Sequence, residues 1–336
     1  MGTNATLRLA VSASLVLSMS NAFADGWDPY SKATEMGSIV QTRHNLTMSY
    51  NPGARTIMGA IARNDYGAIC VYCHTPHGAN TQIKAPLWNR TVNNGSYTTY
   101  DKPTTLMRPI GQPGPNSLTC LSCHDGTISI DSVLNMPGSG FEPTLSGDRN
   151  NQTGSSNLAF LNKWASNAEG LPSPQHYKLG PDVAAPFCTQ CHNSNTGPTN
   201  PSAMSNFKVF AIGTDLRDDH PVGVQFPDTF GPGIDFNEPN VKLPGKMAFF
   251  DKNSNSHADP EEVRLYDTGD GYEVECASCH DPHGVESGGD GTRFNPSFLR
   301  VNNGVALDAS NPDSNLAIEG ITSNGASALC LTCHAK

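Results

Sequence analysis

The chain has 336 residues, and 31 Asp and Glu against 21 Lys and Arg give it a net charge of -10. This acidic balance argues against nucleic acid and anionic membrane surfaces as partners, because both attract positively charged faces. Apolar residues make up 37% of the chain and aromatic residues 7%, so a core built by the chain alone would be thin for this length. We therefore expect a bound group to fill part of the interior.

Residues 1–24 are predicted to be a secretory signal peptide. Arg8 is followed by an apolar run from Leu9 to Leu17 and by Ala22-Phe23-Ala24, a small-x-small cleavage site. The apolar run is too short for a membrane span, which needs roughly 20 residues. We expect export through the Sec pathway and no membrane insertion, with an extracellular location or, alternatively, a periplasmic one.

All ten cysteines belong to one motif, Cys-x-x-Cys-His, which occurs five times. Two thiols three residues apart share one side of a helical turn, where they can form thioethers to the two vinyl groups of a haem. The histidine that follows is then the proximal ligand of the iron. Disulfides, zinc sites and thioredoxin-like pairs do not require a histidine after every second cysteine. The predicted attachment residues are Cys70, Cys73, Cys120, Cys123, Cys188, Cys191, Cys276, Cys279, Cys330 and Cys333. The predicted proximal ligands are His74, His124, His192, His280 and His334.

Six histidines remain, and five haems with two axial histidines each would use five of them. His77 and His283 each stand three residues after a proximal ligand, in Cys-His-Thr-Pro-His and Cys-His-Asp-Pro-His. Neither can reach the far face of its own haem. Each is therefore predicted to be the distal ligand of a neighbouring haem, which brings haems together in pairs.

An internal repeat predicts two related modules. The segment from Pro86 to Arg90 matches the segment from Pro296 to Arg300, and each arginine stands 30 residues before the next attachment cysteine. We expect a single pentahaem domain over residues 25–336. Its parts are a two-haem module at about 40–130, an insertion with an extra haem at about 135–200 and a second two-haem module at about 215–336.

The other distal ligands are predicted from their positions along the chain. His44 and His220 stand upstream of the two modules, and each would supply one ligand. The fifth distal ligand is His176 or His257, and we favour His176 because His257 belongs to a polar turn. Methionine ligation is the other alternative.

The polar turn around His257 also has the spacing of a calcium loop. Positions 1, 3, 5, 9 and 12 of an EF-hand type loop are Asp251, Asn253, Asn255, Asp259 and Glu262. Position 6 is Ser256 instead of the usual glycine, and no paired helices are predicted around the loop. A bound Ca2+ and a solvated polar loop are the two interpretations.

The predicted fold class is mostly irregular chain with short helices at the attachment motifs and a few short hairpins. One hairpin is predicted between residues 262–266 and 272–275. The stretch from Asn135 to Gly180 is rich in Gly, Ser, Asn and Pro and is interpreted as a surface insertion.

Six segments resemble the doubled-CxxCH multihaem cytochromes c exported by metal-reducing bacteria, and among these the nanowire subunits that polymerise into extracellular filaments. The segments are Ile69 to Gly78, Ala85 to Arg90, Leu121 to Gly126, Asp219 to Val222, Glu275 to Gly284 and Ser327 to His334. The middle of the chain departs from the family's tetrahaem pattern, because it carries an additional Cys-x-x-Cys-His motif.

The resemblance implies a chain wrapped around a continuous stack of bis-His haems that carries out electron transfer, with no catalytic residues. It also implies end-to-end self-association into a conductive filament, with a distal histidine donated between subunits, for which His77 or His44 would be candidates. Redox-partner cytochromes or extracellular acceptors would complete the path. The alternatives are a monomeric periplasmic electron shuttle and a multihaem reductase with an open haem site. All five motifs end in histidine, which argues against the reductase.

Overall fold

The computed structural model describes nine parts of the chain. They are residues 39, 44–46, 69–101, 110–135, 178–180, 188–190, 207–285, 295–301 and 327–335. The predicted signal peptide, most of the predicted insertion and the site residues His176, Cys191 and His192 lie outside the described residues. Within these nine parts, no helix is long and apolar enough to cross a membrane.

The helices are short, and most of them contain an attachment motif. The α-helices are α1 (Pro115–His124), α2 (Cys276–Cys279) and α3 (Ala328–Cys333). The 3-10 turns are Cys70–Tyr72, Cys188–Gln190, Lys208–Phe210 and Pro296–Phe298. Pro115 opens α1, where its missing N–H costs no hydrogen bond. Gly126 follows the end of α1 with φ of 73°, the left-handed conformation that terminates many helices.

Five short strands form one antiparallel sheet in the order β1-β5-β4-β3-β2. The strands are β1 (Val224–Gln225), β2 (Val241–Leu243), β3 (Met247–Phe249), β4 (Arg264–Asp267) and β5 (Tyr272–Val274). Strands β4 and β5 pair through Tyr266 with Glu273 and Asp267 with Tyr272, which confirms the predicted hairpin. The sequence did not indicate that this hairpin is joined to three further strands, because those strands are only two or three residues long.

Three small apolar clusters of described residues each lie against an attachment motif. The first is formed by Phe226, Ala248, Phe250, Val263, Leu265 and Val301, and Cys333 of the fifth motif packs on it. The second is formed by Val71, Tyr72 and Val133, and Cys73 of the first motif packs on it. The third is formed by Tyr97, Leu121 and Leu216 around α1. In the described part of the chain, these three apolar clusters thus lie next to attachment motifs.

Candidate functional site

Each described attachment motif folds into a helical turn. The N–H of the motif histidine donates to the carbonyl of the first motif cysteine, at 2.7 Å for His74, 3.0 Å for His280 and 2.8 Å for His334. In the second motif, helix α1 runs through both cysteines and ends at His124. The predicted turn, with both thiols and the histidine in one turn of chain, is therefore present at these four motifs.

Three motif histidines are oriented by a backbone carbonyl. The Nδ1 atom donates to the carbonyl of Pro86 from His74 (2.9 Å), of Phe210 from His124 (2.6 Å) and of Ser297 from His280 (2.7 Å). A carbonyl can only accept, so Nδ1 carries the proton and Nε2 keeps a free lone pair. Metal-ligating histidines are held in the same way in proteins.

Burial keeps these imidazoles neutral. It lowers the pKa of His74, His124 and His280, against the opposing effect of each carbonyl contact. A neutral imidazole is the form that binds a metal. The described cysteines are free thiols, so the disulfide alternative has no bridge in the described part of the chain.

The second and fourth motifs lie in direct contact. A hydrogen bond from the Cys120 thiol to Cys276 raises the pKa of Cys120 and lowers that of Cys276. The N–H of Cys276 donates to Ser117 Oγ (2.8 Å), and the N–H of Gly114 donates to Glu275 Oε1 (2.9 Å). Burial raises the pKa of Glu275 to about 7. These contacts join the N-termini of α1 and α2.

Two further electrostatic interactions between thiols relate the first and fifth motifs to this pair. Burial, with a smaller effect of the Cys123 thiol, raises the pKa of Cys73 to about 12. Burial, with a smaller effect of the Cys279 thiol, likewise raises the pKa of Cys333 to about 12. The thiols therefore follow one another in the order first, second, fourth and fifth motif. The sequence could not supply this order.

His283 lies beside the proximal candidate of a different motif. Its ring centre is 6.2 Å from that of His74, and the two rings are within 12° of parallel. Two imidazoles on opposite sides of one metal ion, with bonds of about 2 Å, have ring centres about 6 Å apart. The residues thus fit a bis-His haem, and the spacing agrees with the prediction that His283 serves a neighbouring haem.

His44 occupies the corresponding position at the second motif. Its ring centre is 6.2 Å from that of His124, at an angle of 86°. His44 Nδ1 donates to the carbonyl of Pro282 (2.8 Å), and the ring stacks on Phe298 at 4.4 Å. Residues of the second module therefore orient a histidine of the first module.

The other distal candidates lie apart from the described proximal histidines. His77 and His220 are exposed, and neither has a ring contact with His74, His124, His280 or His334 in the described part of the chain. His257 is also exposed, and its Nδ1 contacts the carbonyl of Asn255 (2.8 Å). Their ligand roles, and that of His176, stay predictions.

The repeat is present with a different register from the one that the sequence match predicted. In the first module the N–H of Asn89 donates to the Cys73 carbonyl (2.8 Å), and in the second the N–H of Arg300 donates to the Cys279 carbonyl (2.7 Å). Arg300 is therefore the counterpart of Asn89, and the match of Arg300 with Arg90 was wrong by one residue. Backbone hydrogen bonds to the motif fix the register, and these are independent of side-chain identity.

Asp281 and Arg300 connect the fourth motif to His283. His283 Nδ1 and the His283 N–H both donate to Asp281 Oδ1 (3.0 Å each), and Arg300 donates to Asp281 Oδ2 (3.0 Å). Burial opposes ionisation, but the His283 hydrogen bond and the Arg300 charge outweigh it and lower the pKa of Asp281 to about 2. Asp281 is an ionised carboxylate at neutral pH. No motif in the sequence indicated this contact.

The predicted calcium loop is closed by its own hydrogen bonds. Asp251 accepts from the N–H of Ser254 (2.6 Å) and of Ser256 (2.8 Å), and Glu262 accepts from the N–H of Lys252 (2.7 Å). No group of three or more His, Cys, Asp or Glu side chains converges as a metal site within the described ranges. Calcium binding stays a prediction.

Ser256 offers a test of backbone strain in this loop. Its φ is 62°, the left-handed region, and it stands where calcium loops of this type have glycine. We expect Ser256→Gly to raise the free energy of unfolding by about 1 kcal/mol, because glycine adopts this conformation without a steric penalty. Denaturant unfolding measures the change. Ser256→Ala removes the hydroxyl but keeps the Cβ, so an equal gain in both variants would contradict the strain.

No protein-family model matches the chain, and a comparison with curated proteins finds no match. The functional conclusion therefore rests on the chemistry of the attachment motifs and on the imidazole pairs His74 with His283 and His124 with His44.

Proposed function

We propose that the protein is an exported c-type cytochrome that transfers electrons through five covalently attached haems. Each Cys-x-x-Cys pair would form two thioethers, and each motif histidine would hold the iron from one side. Haem supplies one-electron redox chemistry when bound. The role of the chain is to fix the haems and to fill both axial positions of each iron, which leaves no position for a substrate. The protein would therefore be an electron-transfer protein and not an enzyme.

The observation that carries this proposal is the pair of imidazoles formed by His74 and His283. The two rings belong to different modules and have the spacing of two axial ligands on one metal ion, 6.2 Å between centres. The pair formed by His124 and His44 has the same spacing. Two axial histidines leave no open position on the iron, which favours electron transfer over a reductase.

The contacts between motifs support transfer along a series of sites. The described thiols connect the first, second, fourth and fifth motifs in that order, and electron transfer needs closely spaced sites of this kind. We extend the proposal to end-to-end assembly into an extracellular filament, in which an exposed histidine such as His77 is lent to the next subunit. Partner cytochromes or extracellular acceptors exchange electrons with its ends, and nucleic acid is not a partner.

Two measurements on the native haem-loaded protein test this proposal. Pyridine haemochrome analysis against protein mass is expected to give five haems per chain, and the absorption spectrum is expected to be low-spin. Electron microscopy of the extracellular fraction is expected to show uniform thin filaments. Fewer than five haems contradicts the attachment assignment, whereas discrete particles at every concentration contradict the filament and favour a periplasmic shuttle.

A further inference from the structure

His283 differs from the other oriented histidines in the group that accepts its Nδ1 proton. His44, His74, His124 and His280 each donate to a backbone carbonyl. His283 instead donates to a carboxylate, Asp281 Oδ1, at 3.0 Å. The two imidazoles that face each other, His74 and His283, therefore have acceptors of different strength.

The carboxylate is held in place from its other side. Arg300 donates to Asp281 Oδ2 at 3.0 Å and is only 3% exposed, and Asp281 itself is 8% exposed. Arg300 also donates to the carbonyls of Ala277 (2.9 Å) and Pro260 (2.8 Å). Because Arg300 is anchored at three points, the orientation of Asp281 is fixed, and with it the orientation of the His283 ring.

The residues that follow the two motif histidines of the first module form different hydrogen bonds. The residue after the first motif histidine is Thr75, and its hydroxyl donates to the carbonyl of His77 at 2.8 Å. Asp125 occupies the same place after the second motif histidine, but it accepts from the Tyr97 hydroxyl (2.6 Å) and from Thr127. Among these three positions, only Asp281 receives a hydrogen bond from an imidazole.

A charged acceptor strengthens a ligand histidine. Hydrogen bonds to a carboxylate are roughly twice as strong as those to a neutral acceptor, and a carboxylate on Nδ1 raises the basicity of the ligating imidazole. A more basic axial ligand stabilises ferric over ferrous iron. We propose that Asp281 is a positioning residue that orients His283 and lowers the reduction potential of the haem held by His74 and His283.

This inference rests on the proposed function and gives the electron path a direction. The haem held by His124 and His44 has carbonyl acceptors on both axial histidines, so it lacks this contribution. The Asp281 hydrogen bond makes the site at the first motif, an end of the described motif series, the more reducing of the two by this contribution. Considered alone, this contribution favours electron transfer from the first motif toward the second.

The test compares Asp281→Asn with Asp125→Asn in the haem-loaded protein. Both variants remove one buried carboxylate charge directly after a motif histidine, but only D281N replaces the charged acceptor of an axial imidazole by a neutral one. In D281N we expect the midpoint potential of one haem to rise above its wild-type value. We expect this rise to exceed the largest shift of any haem in D125N by about 59 mV. This corresponds to a tenfold change in its oxidised-to-reduced ratio. The electron paramagnetic resonance g values of one low-spin haem are also expected to change in D281N alone.

Potentiometric titration followed by haem absorption measures the midpoints. If D281N is poorly produced, Asp281→Thr is the second variant, because threonine is the residue at the equivalent position of the first motif, Thr75. Either variant must keep five low-spin haems for its midpoints to be compared. A shift no larger than that of D125N, or one spread evenly over all haems, overturns the role of Asp281. A wild-type protein without five low-spin haems would instead overturn the proposed function, so the two failures are distinguishable.

Discussion

Replacing His283 with alanine is expected to convert one of the five proposed haems from low-spin to high-spin while all five stay attached. The thioether cysteines and His74 are unchanged, so attachment and the proximal bond persist. The imidazole whose ring centre lies 6.2 Å from that of His74 is removed, and the iron loses its sixth ligand. Visible absorption and electron paramagnetic resonance of the oxidised protein measure the high-spin fraction, and pyridine haemochrome analysis measures the haem count.

His257→Ala is the matched control for this substitution. His257 is exposed, and its ring is held by the carbonyl of Asn255 within the polar loop. We expect its spectrum to match that of the wild-type protein. A fully low-spin spectrum of His283→Ala would show that another side chain caps the haem of the first motif, and the exposed His220 would be the next histidine to replace.

The local structure of the attachment sites could be predicted from the sequence because it depends on spacing alone. Residues i and i+3 share one side of a helical turn, so Cys-x-x-Cys-His specifies the turn that is seen at Cys70, at Cys276 and at Cys330. The pairing of residues 262–266 with 272–275 was equally local, since a short turn joins the two segments.

The distal histidines depend on contacts between distant parts of the chain. The sequence indicated that His283 leaves its own haem, but only tertiary packing decides that it lies beside His74. His44 is oriented by Pro282 and Phe298 of the other module, and neither residue carries a recognisable signal. The order of the motifs follows from the same packing.

The arginines of the two modules show a partial success of sequence matching. The match singled out Arg90 and Arg300, and both are buried and bind the backbone of an attachment motif. Arg90 donates to the carbonyl of Ser122 in the second motif (2.9 Å), whereas Arg300 donates to that of Ala277 in the fourth (2.9 Å). In the structural register of the two modules, Arg300 is equivalent to Asn89 and not to Arg90. The two arginines therefore bind the backbone of an attachment motif from positions that are not equivalent.

Arg90→Leu is expected to cause a large loss of stability in the first module. Arg90 is fully buried and donates to the carbonyls of Ser122 (2.9 Å), Ser129 (2.7 Å) and Ile130 (2.7 Å). Leucine fills much of the space but leaves three carbonyl oxygens without this donor, at about 1–3 kcal/mol for each unsatisfied buried group. Relief from burying the guanidinium charge offsets part of this cost. We expect the free energy of unfolding to fall by about 3 kcal/mol, measured by denaturant unfolding followed by circular dichroism.

Arg217→Leu makes the same substitution at an exposed site and separates the effect of burial from that of charge. Arg217 pairs with Asp215 at 2.6 Å, but half of its side chain is open to solvent, so water replaces the lost contact. We expect its unfolding midpoint to equal that of the wild-type protein. Because Arg90 binds the carbonyl of Ser122 between Cys120 and Cys123, Arg90→Leu should also perturb the Soret circular dichroism of the haem proposed at the second motif. Equal midpoints for the two variants would mean that Arg90 does not hold the second motif against the first.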